Sequence, residues 1–153
     1  PTPLFTKAEK LFAHHYSLIS ANSLMFDGVK KAIVYLKSKD FRLGCVTNKP
    51  AIYTEALMNK ARLTDFMDVI VSGDTNKKKK PDPLPMFHAL NQLNIEHKDA
   101  IMVGDSIVDI EAGYAAGTHI FTVPYGYQFG ESIISDRVDY AMSNFNELTR
   151  IIN

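Results

Sequence analysis

The sequence predicts an α/β fold, a doubly wound and mainly parallel sheet, and three observations predict it. Short apolar runs alternate with stretches of helical period along most of the chain. Polar and glycine residues follow directly on those runs, as they do where strands of an open sheet end at a ligand site. Finally, 46% of the 153 residues are hydrophobic, enough for the core of one domain and cramped for two.

Taken in order, FTKAEKLFAHHYSLI repeats apolar residues at Phe5, Ala8, Phe12, Tyr16 and Ile19, a one-sided helical stripe that ends before the polar linker Ala21-Asn22-Ser23. VKKAIVYLKSKD carries Val29, Ile33 and Leu36 at helical spacing. Phe41 to Val46 then reads as a strand buried on both faces. The same alternation continues with a helix from about Pro50 to Lys60, a strand Asp68 to Val71, a helix from about Leu84 to Asn94 and a strand Ala100 to Val103. A helix Ile107 to Ala116, a strand His119 to Val123 and a last helix from about Asn144 complete it. Strands and helices of these lengths imply right-handed βαβ units. Phe12, Tyr16, Phe87 and Phe121 are expected in the core, and His14, His15, His88, His97 and His119, which show no ligand spacing, in structural or surface roles.

Seventeen basic residues balance seventeen acidic ones, and no basic-aromatic stripe is present, so nothing points to nucleic acid or an anionic membrane. No run has the apolar length to span a bilayer, and PTPLFTKAEK lacks the order of a signal peptide. The single cysteine, Cys45, cannot form an internal disulfide and reads as a small buried hydrophobe. These features fit a cytoplasmic protein.

Three strand ends carry chemistry. Thr47-Asn48-Lys49-Pro50 follows the first strand, Ser72-Gly73-Asp74 and then KKKKPDP follow the second, and Gly104-Asp105-Ser106 follows the third. Hydroxyl, amide, ammonium and carboxylate groups gathered on one sheet edge have the composition of a phosphate and cation site. Asp105 at a strand end and Asp109 one turn into a helix capped by Ser106 can face one point, and two hard oxygen ligands suit Mg²⁺. Taken singly, the two aspartates read as a helix cap and an exposed helical carboxylate; as G-D-S-x-x-D-x-x-A-G after an apolar run, they favour the metal. Gly104 permits tight passage of the backbone, while Gly113 and Gly117 suggest close helix–sheet packing and a helix C-terminus. Lys77, Lys78 and Lys79 read as solvated, whereas Pro81 fixes the direction in which the Lys80 side chain departs. Thr47 and Asn48 offer uncharged groups suited to phosphate oxygens, or else form only a polar loop before Pro50 at N1.

TNKP at 47–50, KKPDPLP at 79–85 and GDSIVDIEAGYAAG at 104–117 resemble the second, third and fourth motifs of the haloacid dehalogenase superfamily, and within it the phosphoglycolate phosphatase group. VPYGY at 123–127 is similar to a loop of the same group. The resemblance implies a Rossmann-like core over residues 23–153, a remnant of a helical cap over 1–22, dependence on Mg²⁺ and hydrolysis of a small phosphate monoester through an aspartyl-phosphate. By it, Thr47 and Asn48 bind the phosphoryl group, Lys80 neutralises charge on nucleophile and phosphate, Asp105 ligates Mg²⁺, and Asp109 ligates it or orients its water.

The family's first motif, D-x-D-x-[TV], has no counterpart here. LMFDGV at 24–29 lacks the second aspartate, and Asp65/Asp68 and Asp136/Asp139 have the wrong spacing. The chain is therefore expected to be the C-terminal two-thirds of a phosphatase, lacking the first strand, which the resemblance places between the strands ending at Val46 and Val103. A non-catalytic phosphate- or partner-binding remnant is the alternative. A phosphoacceptor signalling domain is disfavoured by the order of KPDP and GDSxxD.

Overall fold

The structure, a computed structural model, describes residues 2–20, 23–126 and 136–152, side chains at 17–20 excepted. The expected linker at Ala21-Asn22, the boundary at residue 22 and Tyr127 of the VPYGY segment lie outside the described residues.

Helix α1 (Pro3–Ser20) is followed by α2 (Val29–Ser38), β1 (Gly44–Val46), α3 (Ala51–Ala61), β2 (Val69–Val71) and α4 (Leu84–Leu93). Then come β3 (Ile101–Gly104), α5 (Ile107–Ala116), β4 (His119–Thr122), β5 (Tyr140–Ala141) and α6 (Leu148–Ile151). The expected helices and strands are present, and every strand pair is parallel. Gly117 closes α5 in the left-handed region at φ 75°, and a Cβ on Gly113 would stand 3.0 Å from the Met102 Cβ, so both glycines do what their places suggest.

The sheet is in two parts, β1–β2 and β3–β4–β5. In a parallel strand, the N–H and C=O of one residue point the same way and those of the next residue point the opposite way. Thr47 N donates to Val71 O at 2.9 Å, which turns Gly44 and Val46 away from β2. On the other part, His119 N donates to Ala100 O at 2.9 Å and Val123 N to Gly104 O at 3.2 Å, which turns Ile101 and Val103 away from β4. Each part thus has an open edge, and both edges lie within shared packing layers. On one face Val46 packs with Met86, Met102, Ala112 and Ala116 under α4 and α5. On the other, Leu43, Ile101 and Val103 pack around a cluster containing Leu36 of α2.

Two expectations need correction. The strand expected over Phe41 to Val46 is only Gly44–Val46, and it is partly exposed rather than buried on both faces. Asp68 accounts for the difference: its Oδ2 accepts from Leu43 N at 2.7 Å, and its own N–H donates to Leu43 O at 2.8 Å, an irregular junction in place of a ladder. Of the aromatic residues assigned to the core only Phe121 is buried, at 8% exposure, whereas Phe12 is 66% and Phe87 40% exposed. The apolar stripe of α1 meets α3 alone among the other described helices that it packs against substantially, through Tyr16 and Tyr53 with ring centroids 4.8 Å apart. The described histidines are in surface or structural settings: His88 Nδ1 lies 2.9 Å from Asn76 Oδ1 and His97 Nδ1 3.1 Å from Gly117 O.

The hydrogen bond from Lys37 and then that from Leu43 N–H hold the Asp68 carboxyl below its ordinary range. A depressed carboxyl pKa contributes stability above the unfolded value and loses it as pH falls through the folded one. Asp68→Asn is accordingly expected to lower the urea midpoint at pH 7, and the gap from wild type should close as pH falls below about 4. A gap that widened in acid would contradict this.

Candidate functional site

Hydrogen bonds link four of the five residues singled out by the sequence, Asn48, Lys80, Asp105 and Asp109, where β1 and β3 end, and Thr47 adjoins Asn48 there. Asn48 is bonded to Lys80 through both ends of its amide: Nδ2 donates to Lys80 O at 2.7 Å, and Lys80 N donates to Oδ1 at 2.9 Å. A loop 32 residues away in sequence is thereby fixed to the end of β1. The Asn48 amide is thus engaged on the Lys80 backbone, with one N–H of its Nδ2 group outside these two bonds. Thr47 Oγ1 accepts from Lys49 N at 3.2 Å, leaving the hydroxyl hydrogen to donate to a ligand.

The Lys80 side chain runs inward while Lys77, Lys78 and Lys79 remain exposed, as the lysine run suggested. Its Nζ donates to Asp109 Oδ1 at 2.6 Å and to Val46 O at 2.5 Å, and the side chains of the ion pair are each only 8% exposed. Val46 O belongs to the open edge of β1, so the ammonium satisfies a strand carbonyl that no described strand meets. A buried ammonium is tolerated because it is paired and hydrogen-bonded.

Asp109 is held from two sides. Its Oδ2 accepts from Asp105 N and Ser106 N, both at 3.2 Å, and from Ser106 Oγ at 2.8 Å, so Ser106 and Asp109 form a capping box at the start of α5. S-x-x-D ahead of an apolar helix was the sequence signal for that box. Gly104 makes room for it, since a Cβ there would fall 2.3 Å from the Asp109 Cβ. Asp105 stands at the end of β3 against Gly126, where a Cβ would lie 1.7 Å from Asp105 Oδ2 and where φ is +102°. Gly126→Ala therefore has to displace the Asp105 carboxylate or the loop. We expect that substitution to weaken any function of Asp105 about tenfold or more and, because alanine is strained at this φ, to lower stability by about 1–3 kcal/mol. Unchanged function would show that the loop gives way freely.

Gly73 completes the cradle: a Cβ would fall 2.0 Å from Asn48 O, and Gly73 N donates to Lys49 O at 2.8 Å. The Asp74 carboxylate accepts from Ala51 N at 2.9 Å at the start of α3, where Pro50 is the N-cap residue rather than N1. Burial pushes the Cys45 thiol up, with the Lys80 charge opposing it. Cys45 is therefore expected to react slowly with iodoacetamide at pH 7, and more slowly still in Lys80→Ala if that variant stays folded; rapid alkylation of the native protein would contradict this.

The ends of two parallel strands thus bring together a buried ammonium, a free hydroxyl hydrogen, a strand-end carboxylate and a second carboxylate that orders the first helical turn beyond it. Among the described residues, no group of three or more His, Cys, Asp or Glu side chains could hold a metal ion by itself, and no helix is long and apolar enough to cross a membrane. Asp105, which follows β3, is a hard oxygen donor, and Mg²⁺ commonly takes only one or two protein carboxylates, filling its octahedron with water and phosphate oxygens. The donor set therefore fits Mg²⁺ as part of a shell, with Asp105 supplying carboxylate oxygen and Asp109 accepting from the Asp105 N–H beside it.

Comparison with known proteins agrees with this arrangement. Residues 4–123 match the model of the haloacid dehalogenase-like hydrolase family. The phosphoglycolate phosphatase of Nitrosospira multiformis is 38% identical over 97% of the chain and that of Nitrosococcus oceani 36% identical over 98%, and the chain spans 66% and 67% of their respective lengths. The crystal structure of a predicted phosphoglycolate phosphatase from Haemophilus somnus superposes on the whole chain with a TM-score of 0.92 at 24% identity, the chain covering 69% of it. A Rossmann-like α/β core, the strand-end site and the match over residues 4–123 together place the chain in the haloacid dehalogenase-like hydrolase family.

Proposed function

We propose that this chain carries the phosphate-binding and Mg²⁺-binding part of a phosphatase that hydrolyses a small phosphate monoester, 2-phosphoglycolate being the substrate to which the names of its relatives point. The observation that carries the reading is the buried Lys80 ammonium, paired with Asp109 and with its backbone held by Asn48, at the strand ends that also carry Thr47 and Asp105. An isolated lysine would stay in water; this one is preorganised where charge develops on a phosphoryl group.

In this reading Thr47 and Lys80 hold the phosphoryl oxygens, Asn48 and Asp109 hold Lys80, and Asp105 is the Mg²⁺ ligand. When bound, the cation neutralises phosphoryl charge. The attacking group is a carboxylate from a segment upstream of this chain: its oxygen bonds to phosphorus as the alcohol oxygen leaves with a proton given by a second carboxylic acid of that segment, and that group then takes a proton from the water that releases phosphate from the acyl phosphate. The carboxylates at the site are otherwise engaged, Asp109 in its cap and ion pair and Asp74 on the Ala51 N–H. Helix α1, which docks on α3, is the cap remnant of this scheme, and residues 23–153 form the core.

Asp105→Asn tests the reading. It keeps shape and removes the charge that favours a cation, so the full-length protein should lose turnover of 2-phosphoglycolate, and titration calorimetry should show Mg²⁺ binding weakened with the urea midpoint little changed. Wild-type turnover in excess chelator, or undiminished Mg²⁺ binding by the variant, would sink it.

A further inference from the structure

The segment Val123-Pro124-Tyr125-Gly126 follows β4 and reaches the site through its backbone. Val123 N donates to Gly104 O at 3.2 Å, so the end of β4 is fixed beside the residue that precedes Asp105. Gly126 then lies so close to the Asp105 carboxylate that a Cβ there would overlap Oδ2. Glycine has the most permissive backbone of all residues and no side chain with which to hold its own place. The position of Gly126 against Asp105 is therefore set by whatever holds its neighbours.

Tyr125 is that anchor. It packs on the cluster that contains Leu36, Phe121, Met142 and Leu148, its ring lies 4.4 Å from that of Phe26 between centroids, and its hydroxyl accepts from Phe145 N at 3.0 Å. Phe145 opens a single 3₁₀ turn, Phe145–Glu147, and a backbone donor at the start of a helical turn has no partner within it. The phenol supplies one. Both partners of Tyr125 are themselves fixed. Asn146 N donates to Asn144 Oδ1 at 3.0 Å, and a Cβ on Gly28, at φ +83°, would fall 2.5 Å from Asn146 Oδ1, so the turn that follows Phe26 and the turn that carries Phe145 are packed together. Burial pushes the Tyr125 phenol up, with the Phe145 N–H opposing it, so removing the hydroxyl at neutral pH deletes a hydrogen bond and no charge.

We propose that Tyr125 is a positioning residue for the cation site: clamped between Phe26 and Phe145, it holds Gly126 against Asp105 Oδ2 and limits the directions open to that carboxylate. The inference rests on the reading of Asp105 as the Mg²⁺ ligand and adds a residue, remote from the phosphoryl group, on which the affinity for the cation depends. Tyr125 touches neither substrate nor metal; it acts through one glycine.

The test is titration calorimetry of the full-length protein with Mg²⁺ alone, beside urea unfolding. Tyr125→Phe keeps the ring and removes the acceptor. It should weaken Mg²⁺ binding about tenfold, the lower end of what is lost with groups that orient a metal ligand, while the urea midpoint falls only by the ordinary worth of one hydrogen bond. Its deficit in turnover should shrink as Mg²⁺ is raised. Tyr140→Phe, the same change on the exposed strand β5, should leave Mg²⁺ binding as it is. Undiminished Mg²⁺ affinity in Tyr125→Phe, an equal loss in Tyr140→Phe, or a turnover deficit that excess Mg²⁺ does not relieve overturns the inference and leaves the phosphatase reading standing. Failure of the wild-type protein to bind Mg²⁺, or undiminished binding by Asp105→Asn, overturns both.

Discussion

Lys80→Ala is expected to act on two measurements at once. In the full-length protein turnover should fall by roughly 10²–10³ or more, the usual loss when a preorganised electrostatic contact to the reacting group is deleted. The fold should weaken as well, because Asp109 would keep its place in the capping box with its carboxylate buried and its cation gone. Removing one partner of a buried pair commonly costs about 3–5 kcal/mol, far more than the pair itself contributes relative to apolar residues of the same volume. The two effects can be separated. Lys80→Met with Asp109→Asn removes both charges while the amide oxygen can still accept from Ser106 in the capping box, so much of the stability should return while turnover does not. Urea midpoints and phosphate release measured on the three proteins decide the matter. Lys77→Ala and Lys78→Ala should be nearly silent in both assays, since those side chains face water. Equal losses at all of these lysines would mean a diffuse basic patch.

That contrast between neighbouring lysines was legible in the sequence because Pro81 follows Lys80 alone, and the exposure of the other three agrees. The alternation of apolar runs and helical periods was likewise enough to place the strands before the site and the helices after them. What lay beyond it were features with little local signal. Strand β5 is only Tyr140–Ala141, both exposed, and its place is set by pairing Phe121↔Tyr140 and Thr122↔Ala141 with β4. No period can be read from two residues. Asn48 suggested a phosphate ligand, yet its amide is used on the Lys80 backbone, a contact between loops that no one-dimensional pattern announces. Asp109 was weighed as a ligand, although S-x-x-D is also a capping signature; the box and the ion pair come together only when the KKKKPDP loop folds over α5. Tyr16 was assigned to the core from its helical stripe. A stripe identifies the buried face and says nothing of Lys49, the partner that loop geometry puts there.

The 153 residues by themselves are expected to show no phosphatase turnover and to unfold readily. The first expectation follows from the inventory of carboxylates. Asp109 has both oxygens occupied, Asp74 caps α3, and Asp105 is assigned to the cation, so no described carboxylate at the site is left to attack phosphorus or to protonate the leaving alcohol. Thr47 and Lys80 can still bind phosphate, and weak binding without hydrolysis is the expected pattern. The second follows from the divided sheet. Gly44, Val46, Ile101 and Val103 turn backbone groups toward edges that no described strand covers, and among these Val46 O is met by the Lys80 ammonium. A strand laid between β1 and β3 would satisfy those groups and bury its side chains on both faces, each worth about 1.5–3 kcal/mol. A few such contributions match the roughly 5–15 kcal/mol by which a whole domain is stable. Release of phosphate from 2-phosphoglycolate with Mg²⁺, followed alongside thermal unfolding, should therefore give no turnover and a low, broad transition. Joining an apolar strand that ends in a carboxylate ahead of residue 1 should sharpen and raise that transition. Turnover that copurifies with the 153-residue chain and disappears in Asp105→Asn would overturn the expectation, and would mean that another carboxylate of this chain reaches the phosphorus.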